Sequence, residues 1–163
     1  MKKSMLAICF MAMALTTAAN ELQNTNSEKT AEVKVTATVV QPLKIETKEV
    51  KFGKVAQGTD DNKPVDAGYI KIEGQANEGV IVLFADGIKE EWQSDIKQVE
   101  VNLKSGNEPT MLTYSPELKP ELHQPLALTD GANKMDLIGK LNVPKEAKPG
   151  NYEGTLKVKV RYE

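Results

Sequence analysis

The sequence predicts an all-β sandwich of short strands. Three observations predict it. Apolar residues recur with period two in one segment after another, clusters of Gly, Pro, Asn and Asp separate those segments, and valine and threonine dominate them. The chain has 163 residues, room for one domain with a single core.

The N-terminus is set aside first. Lys2 and Lys3 form a basic start, "MLAICFMAMAL" is a short apolar run, and "TTAAN" supplies small residues for cleavage. Residues 1–19 are therefore read as a secretory signal peptide, too short for a transmembrane helix, with cleavage after Ala19. A lipoprotein signal at Cys9 is the weaker alternative, because Ile8 is bulky and the apolar run continues past the cysteine. Residues 20–29 ("NELQNTNSEK") are polar and lack periodicity, which predicts a flexible lead.

The elements follow in order. "VKVTATVV" places Val33, Val35, Ala37 and Val39 on one face, and Lys34, Thr36 and Thr38 on the other. Pro42 ends this strand, since proline removes a ladder donor. "LKIETKEVKFGKV" pairs Leu43 and Ile45 with Val50 and Phe52 across a turn, and "AQGTDDNKP" reads as a loop. "GYIKIEG" alternates Tyr69 or Ile70 with Ile72. The continuous apolar run in "EGVIVLFADG" fits a central strand buried on both faces. Around "IKEEWQSD" one helical turn or an irregular loop is expected. "KQVEVNL" alternates Val99, Val101 and Leu103, "TMLTYSP" is a strand, and "ELKPELH" is a proline-bounded connection. "QPLALTDGANKMDLIGKLNVP" gives a strand, a turn at Asp130–Gly131, and a strand from Met135 to Val143. A Pro-Gly turn then leads into "YEGTLKVKVRYE". This last strand runs to the final residue, with Leu156, Val158, Val160 and Tyr162 on one face and Lys157, Lys159 and Arg161 on the other.

Chemistry is harder to find. The one cysteine leaves with the signal, so the mature chain has no disulfide and no thiolate site. His123, the only histidine, lies in a proline-flanked loop, and zinc needs more ligands than this chain offers. Asp60, Asp61 and Asp130 lack calcium-loop spacing and read as solvated turns. Glu90 and Glu91 with Asp95 could imitate a glycosidase acid pair, but a solvated edge is the simpler reading. Trp92 is read as a core anchor, with a surface groove as the alternative. Losing Lys2 and Lys3 from the 21 basic residues leaves 19 against 23 acidic ones, a net charge of −4 with the signs interspersed. That predicts no nucleic-acid partner. An enzyme and a cofactor are not expected.

What stands out is the chain's two end strands, each with an apolar face that needs a partner. The order of signal peptide, polar lead, "VTATVVQPLKI", short-strand sandwich and terminal "GNYEGTLKVKV" resembles a subunit of chaperone–usher fimbriae. The similarity is greatest to the colonisation-factor type of pilin and related bacterial pilin-like domains. It implies an immunoglobulin-like sandwich over residues 43–163 that lacks one strand, and a donor strand with its hinge in residues 30–42. Val33, Val35, Ala37 and Val39 would fill a neighbour's groove, and Pro42 would be the hinge. Gly150 and Tyr162 resemble the signature that chaperones recognise, and Leu156, Val158 and Val160 would line the groove edge. The implied partners are neighbouring copies or related subunits, a periplasmic chaperone and an outer-membrane usher, with room for a host receptor. The implied destination is a surface fimbrium, reached through the periplasm. The disulfide of type 1-like pilins is absent, which fits the colonisation-factor branch better. Two alternatives remain open at this stage. Residues 33–40 could be the first strand of their own complete sandwich, and the chain could be a self-contained periplasmic or surface binding module or adhesin.

Overall fold

The computed structural model describes residues 29–163. The predicted signal peptide and most of the lead lie outside them. The chain divides into two units, Met1–Ala37 and Thr38–Glu163. In the first, the described residues 29–37 form no strand, although they alternate as strands do. A strand exists only where a partner accepts its backbone hydrogen bonds. Val33 and Val35 are 83% and 87% exposed, and Val39, at the start of the second unit, is 93% exposed.

The second unit is an all-β, immunoglobulin-like sandwich. Its strands are β1 (Lys44–Lys48), β2 (Thr59–Asn62), β3 (Gly68–Glu73), β4 (Gly79–Asp86), β5 (Val101–Leu103), β6 (Leu112–Lys119), β7 (Leu126–Ala127), β8 (Ala132–Val143) and β9 (Leu156–Tyr162). One antiparallel sheet has the order β1-β3-β8-β6-β5, with β2 added to the end of β8, and the other is β7-β4-β9. The core lies between them. Ile70, Ile72, Met135, Leu137 and Leu141 come from the larger sheet, and Val80, Val82 and Phe84 from the smaller. Each set is the inward half of a period-two pattern.

Several expectations need correction. The segment "TDDN" is a strand and not loop: Asn62 Nδ2 donates to Leu141 O at 3.0 Å, so a side chain supplies pairing that hydrophobicity did not announce. β6 does not stop at Pro116 but continues to Lys119, with Pro116 opposite Gly139. β4 is fully buried on one face, whereas on the other Ile81 and Leu83 are half-buried and only Ala85 is fully covered. Residues 50–52 form no strand, only a bridge from Lys51 to Asp66. Val99 lies outside β5, at the end of a 3-10 turn over Ile96–Gln98. Trp92 is no core anchor: it is half-buried, and the Lys159 ammonium sits 3.9 Å from its ring centre.

One edge of β4 is fully occupied. Val80 pairs with Leu126 of β7, and Phe84 exchanges hydrogen bonds of 2.8 Å with Gln93 in both directions. Between them the Gln124 carboxamide replaces a strand. Its Oε1 accepts from Val82 N at 2.9 Å and its Nε2 donates to Val82 O at 2.7 Å. Gln124→Ala would leave both buried groups of Val82 unpaired. A loss of about 2–4 kcal/mol in urea unfolding is expected, at roughly 1–3 kcal/mol per orphaned group with partial hydration. A change under 0.5 kcal/mol would show that water substitutes fully.

Candidate functional site: an unpaired strand edge over an apolar groove

β9 joins β4 with Val80 opposite Tyr162, Val82 opposite Val160, Phe84 opposite Val158 and Asp86 opposite Leu156. Opposed residues share a face, so Leu156, Val158, Val160 and Tyr162 point inward. Their β4 partners are fully buried, yet all four remain half-buried. The inner face of β9 therefore has a partner on one side only.

The backbone gives the same result. Gly87 N donates to Thr155 O at 2.7 Å, and Glu163 N donates to Gly79 O at 3.1 Å. Antiparallel ladders alternate, so Lys157, Lys159 and Arg161 spend their main-chain groups on β4. The N–H and C=O groups of Leu156, Val158, Val160 and Tyr162 then point to the outer edge. Among the described residues no strand pairs with that edge.

Beside this edge a groove of about 600 Å³ opens between the sheets. Leu156 and Val158 form one wall, and Thr47, Val50 and Phe52 form the other. Ile70, Tyr114 and Leu137 make the floor. The Phe52 ring meets the Tyr114 ring edge-on, with centres 5.3 Å apart. The Tyr114 hydroxyl donates to Ile138 O at 2.6 Å, and burial pushes its phenol well above the usual range. The second wall belongs to the other sheet's edge. Ile45 and Thr47 of β1 lie opposite Ile72 and Ile70 and share their inward face, yet Ile45 is 39% exposed. Two facing edges thus leave apolar inner faces uncovered, and the gap between them can receive an extended segment.

The predicted groove residues separate into three groups. Leu156 and Val158 line the groove between the sheets. Val160 shares their face but lies beyond the groove's lining, and Tyr162 closes that end of β9. Gly150 is exposed in the preceding loop, outside the groove, where a Cβ would lie 2.9 Å from Ser105 Oγ. Gly154 lines the groove instead: a Cβ there would lie 2.8 Å from Asn102 O, so only glycine lets the chain pass β5 this closely. Of the predicted donor residues, Val33, Val35, Ala37 and Val39 are all exposed, as is Pro42.

No family model and no curated protein matches this chain. The geometry therefore stands alone.

The other candidates hold no assembled chemistry. His123 is exposed. Glu90 is tied to the Lys157 ammonium, whose hydrogen bond holds the carboxyl below the usual range, and Asp95 caps the 3-10 turn by accepting from Lys97 N at 3.0 Å. Asp61 pairs with Lys140 at 3.0 Å. Among the described residues, no group of three or more His, Cys, Asp or Glu could hold a metal ion. Asp86 is buried, with Oδ2 accepting from Asn102 Nδ2 at 3.0 Å and Oδ1 without a partner among the described residues. Among the described residues, no helix is long and apolar enough to cross a membrane.

Proposed function

We propose that this protein is a structural subunit of a surface fimbria, polymerising head-to-tail by donating residues 30–42 of one copy to the groove of the next. The observation that carries the reading is the unpaired edge of β9 above a groove with an apolar floor, to which Lys48, Glu49 and Glu153 also contribute. The chain also carries a fitting occupant: residues 33–39 alternate valine or alanine with polar residues, and the three valines are exposed. An extended segment added to β9 gains main-chain hydrogen bonds and sends alternate side chains into the groove. Burying three valines contributes roughly 5–9 kcal/mol, at about 1.5–3 per side chain, against the entropy of ordering the segment.

Donor and acceptor are different surfaces of the same chain, so the contact is heterologous and builds a filament. The uncovered groove is an aggregation hazard before assembly. The reading therefore brings with it export through the periplasm, a chaperone that covers the groove there, and an outer-membrane usher.

Concentrating the purified chain is expected to give a ladder of heat-resistant multimers on unboiled gels. Excess synthetic peptide of residues 30–42 should bind the groove and shorten the ladder, while a scrambled peptide should not. A chain that stays monomeric at every concentration and ignores the peptide would instead be a self-contained binding module.

A further inference from the structure

The Tyr162 hydroxyl links three parts of the sandwich. It accepts from Gln75 N at 2.8 Å, in the turn after β3, and donates to Gln41 O at 2.5 Å, one residue before Pro42. The space for it is made by Gly74. A Cβ on that residue would lie 2.6 Å from the Tyr162 hydroxyl, 2.8 Å from a Leu43 methyl and 2.9 Å from a Leu128 methyl. Gly74 is itself fixed, donating from N to Gly131 O at 2.9 Å. The hydroxyl thus sits where three parts of the fold meet, half-buried against Gly74 and Leu128, with its bond to Gln41 at the surface.

Gln41 is otherwise an exposed residue in a segment without secondary structure. Two restraints act on it. The following proline confines it to extended backbone, and Pro42 has a fixed φ of its own. The Tyr162 bond then ties its carbonyl to the end of β9.

We propose that Tyr162 is a positioning residue, a latch that fixes the junction between the sandwich and the segment preceding it, so that the donated strand leaves from a set point. This rests on the donor-strand reading for its purpose, but the latch itself belongs to the single chain. In a filament it would make each joint stiff where a free linker would make it loose. The role differs from chaperone recognition, which the sequence suggested for the same residue.

Tyr162→Phe in the full chain tests it, because the ring stays and both hydrogen bonds go. Amide exchange at Gln75 should quicken roughly tenfold, as one protected hydrogen bond is lost. Backbone relaxation should show Val39, Val40 and Gln41 changing from ordered to mobile on the nanosecond scale. Multimers should still form but bend more in electron micrographs. Gly74→Ala should produce the same mobility by pushing on the hydroxyl from the other side. Unchanged order at residues 39–41 in Tyr162→Phe would overturn the latch. If the parent chain forms no multimers, the fimbrial reading fails, and the relaxation comparison still decides the latch.

Discussion

Val35→Arg is expected to abolish heat-resistant multimers while leaving the monomer's thermal midpoint unchanged. Val35 is 87% exposed in the single chain, so its own fold gains nothing from the valine. In the filament the same residue would enter a groove walled by Leu156, Val158 and Phe52, whose only carboxylates, Glu49 and Glu153, are themselves exposed and leave the apolar floor without a buried counter-charge. Burying an unpaired charge costs several kcal/mol, more than the two or so that the valine contributes. Thr36→Arg is the control, since it adds the same charge to the opposite face and should leave the ladder intact. Normal multimers from Val35→Arg, with loss in Thr36→Arg, would reverse the assignment of the two faces.

Gly139→Ala is expected to cost about 3–5 kcal/mol, combining backbone strain with overpacking. Gly139 sits in the middle of β8 at φ 138°, and an added Cβ would lie 2.2 Å from Ser115 O and 2.9 Å from Cε2 of Tyr114. Its opposite residue is Pro116, which has no N–H to offer, and the added Cβ would also lie 3.0 Å from Pro116 Cα. Nothing in that contact is a flexible side-chain end that can move aside. A single domain has about 5–15 kcal/mol in total, so the variant should lose much of its stability in urea titration. Because Tyr114 floors the groove, uptake of the donor peptide should weaken too. A cost below 1 kcal/mol would mean that β6 and β8 separate there with ease.

The period-two pattern made β3, β8 and β9 legible because each has one wet and one dry face. It put Leu156 and Val158 on one apolar face for the same reason, and the pilin resemblance alone implied that this face lines a groove. Other parts carry no such signal. β2 is "TDDN", held by the Asn62 carboxamide, and no hydrophobic alternation marks it. The Gln124 carboxamide acts as a strand for β4 across 42 residues of sequence, which only the fold can bring together. The opposite groove wall, Val50 and Phe52, was read as apolar, but its position depends on β1 lying at the far edge of the other sheet. Gly150 stands out in the sequence for its place before the last strand, where it resembles a pilin signature. The glycine that the chain's path requires is Gly154, and the reason is a close approach to β5 that sequence spacing does not record.

The side-chain plug at Val82 has a consequence for the shape of any assembly. With β7, Gln124 and Gln93 spent on one side of β4, the smaller sheet presents a single long reactive edge, and the chain supplies a single segment to match it. Under the donor-strand proposal the chain would be, in the language of polymer chemistry, a bifunctional monomer with one acceptor and one donor end. Units of that kind would grow as linear, unbranched and polar strands, because the donor-strand reading gives each copy one acceptor edge and one donor segment.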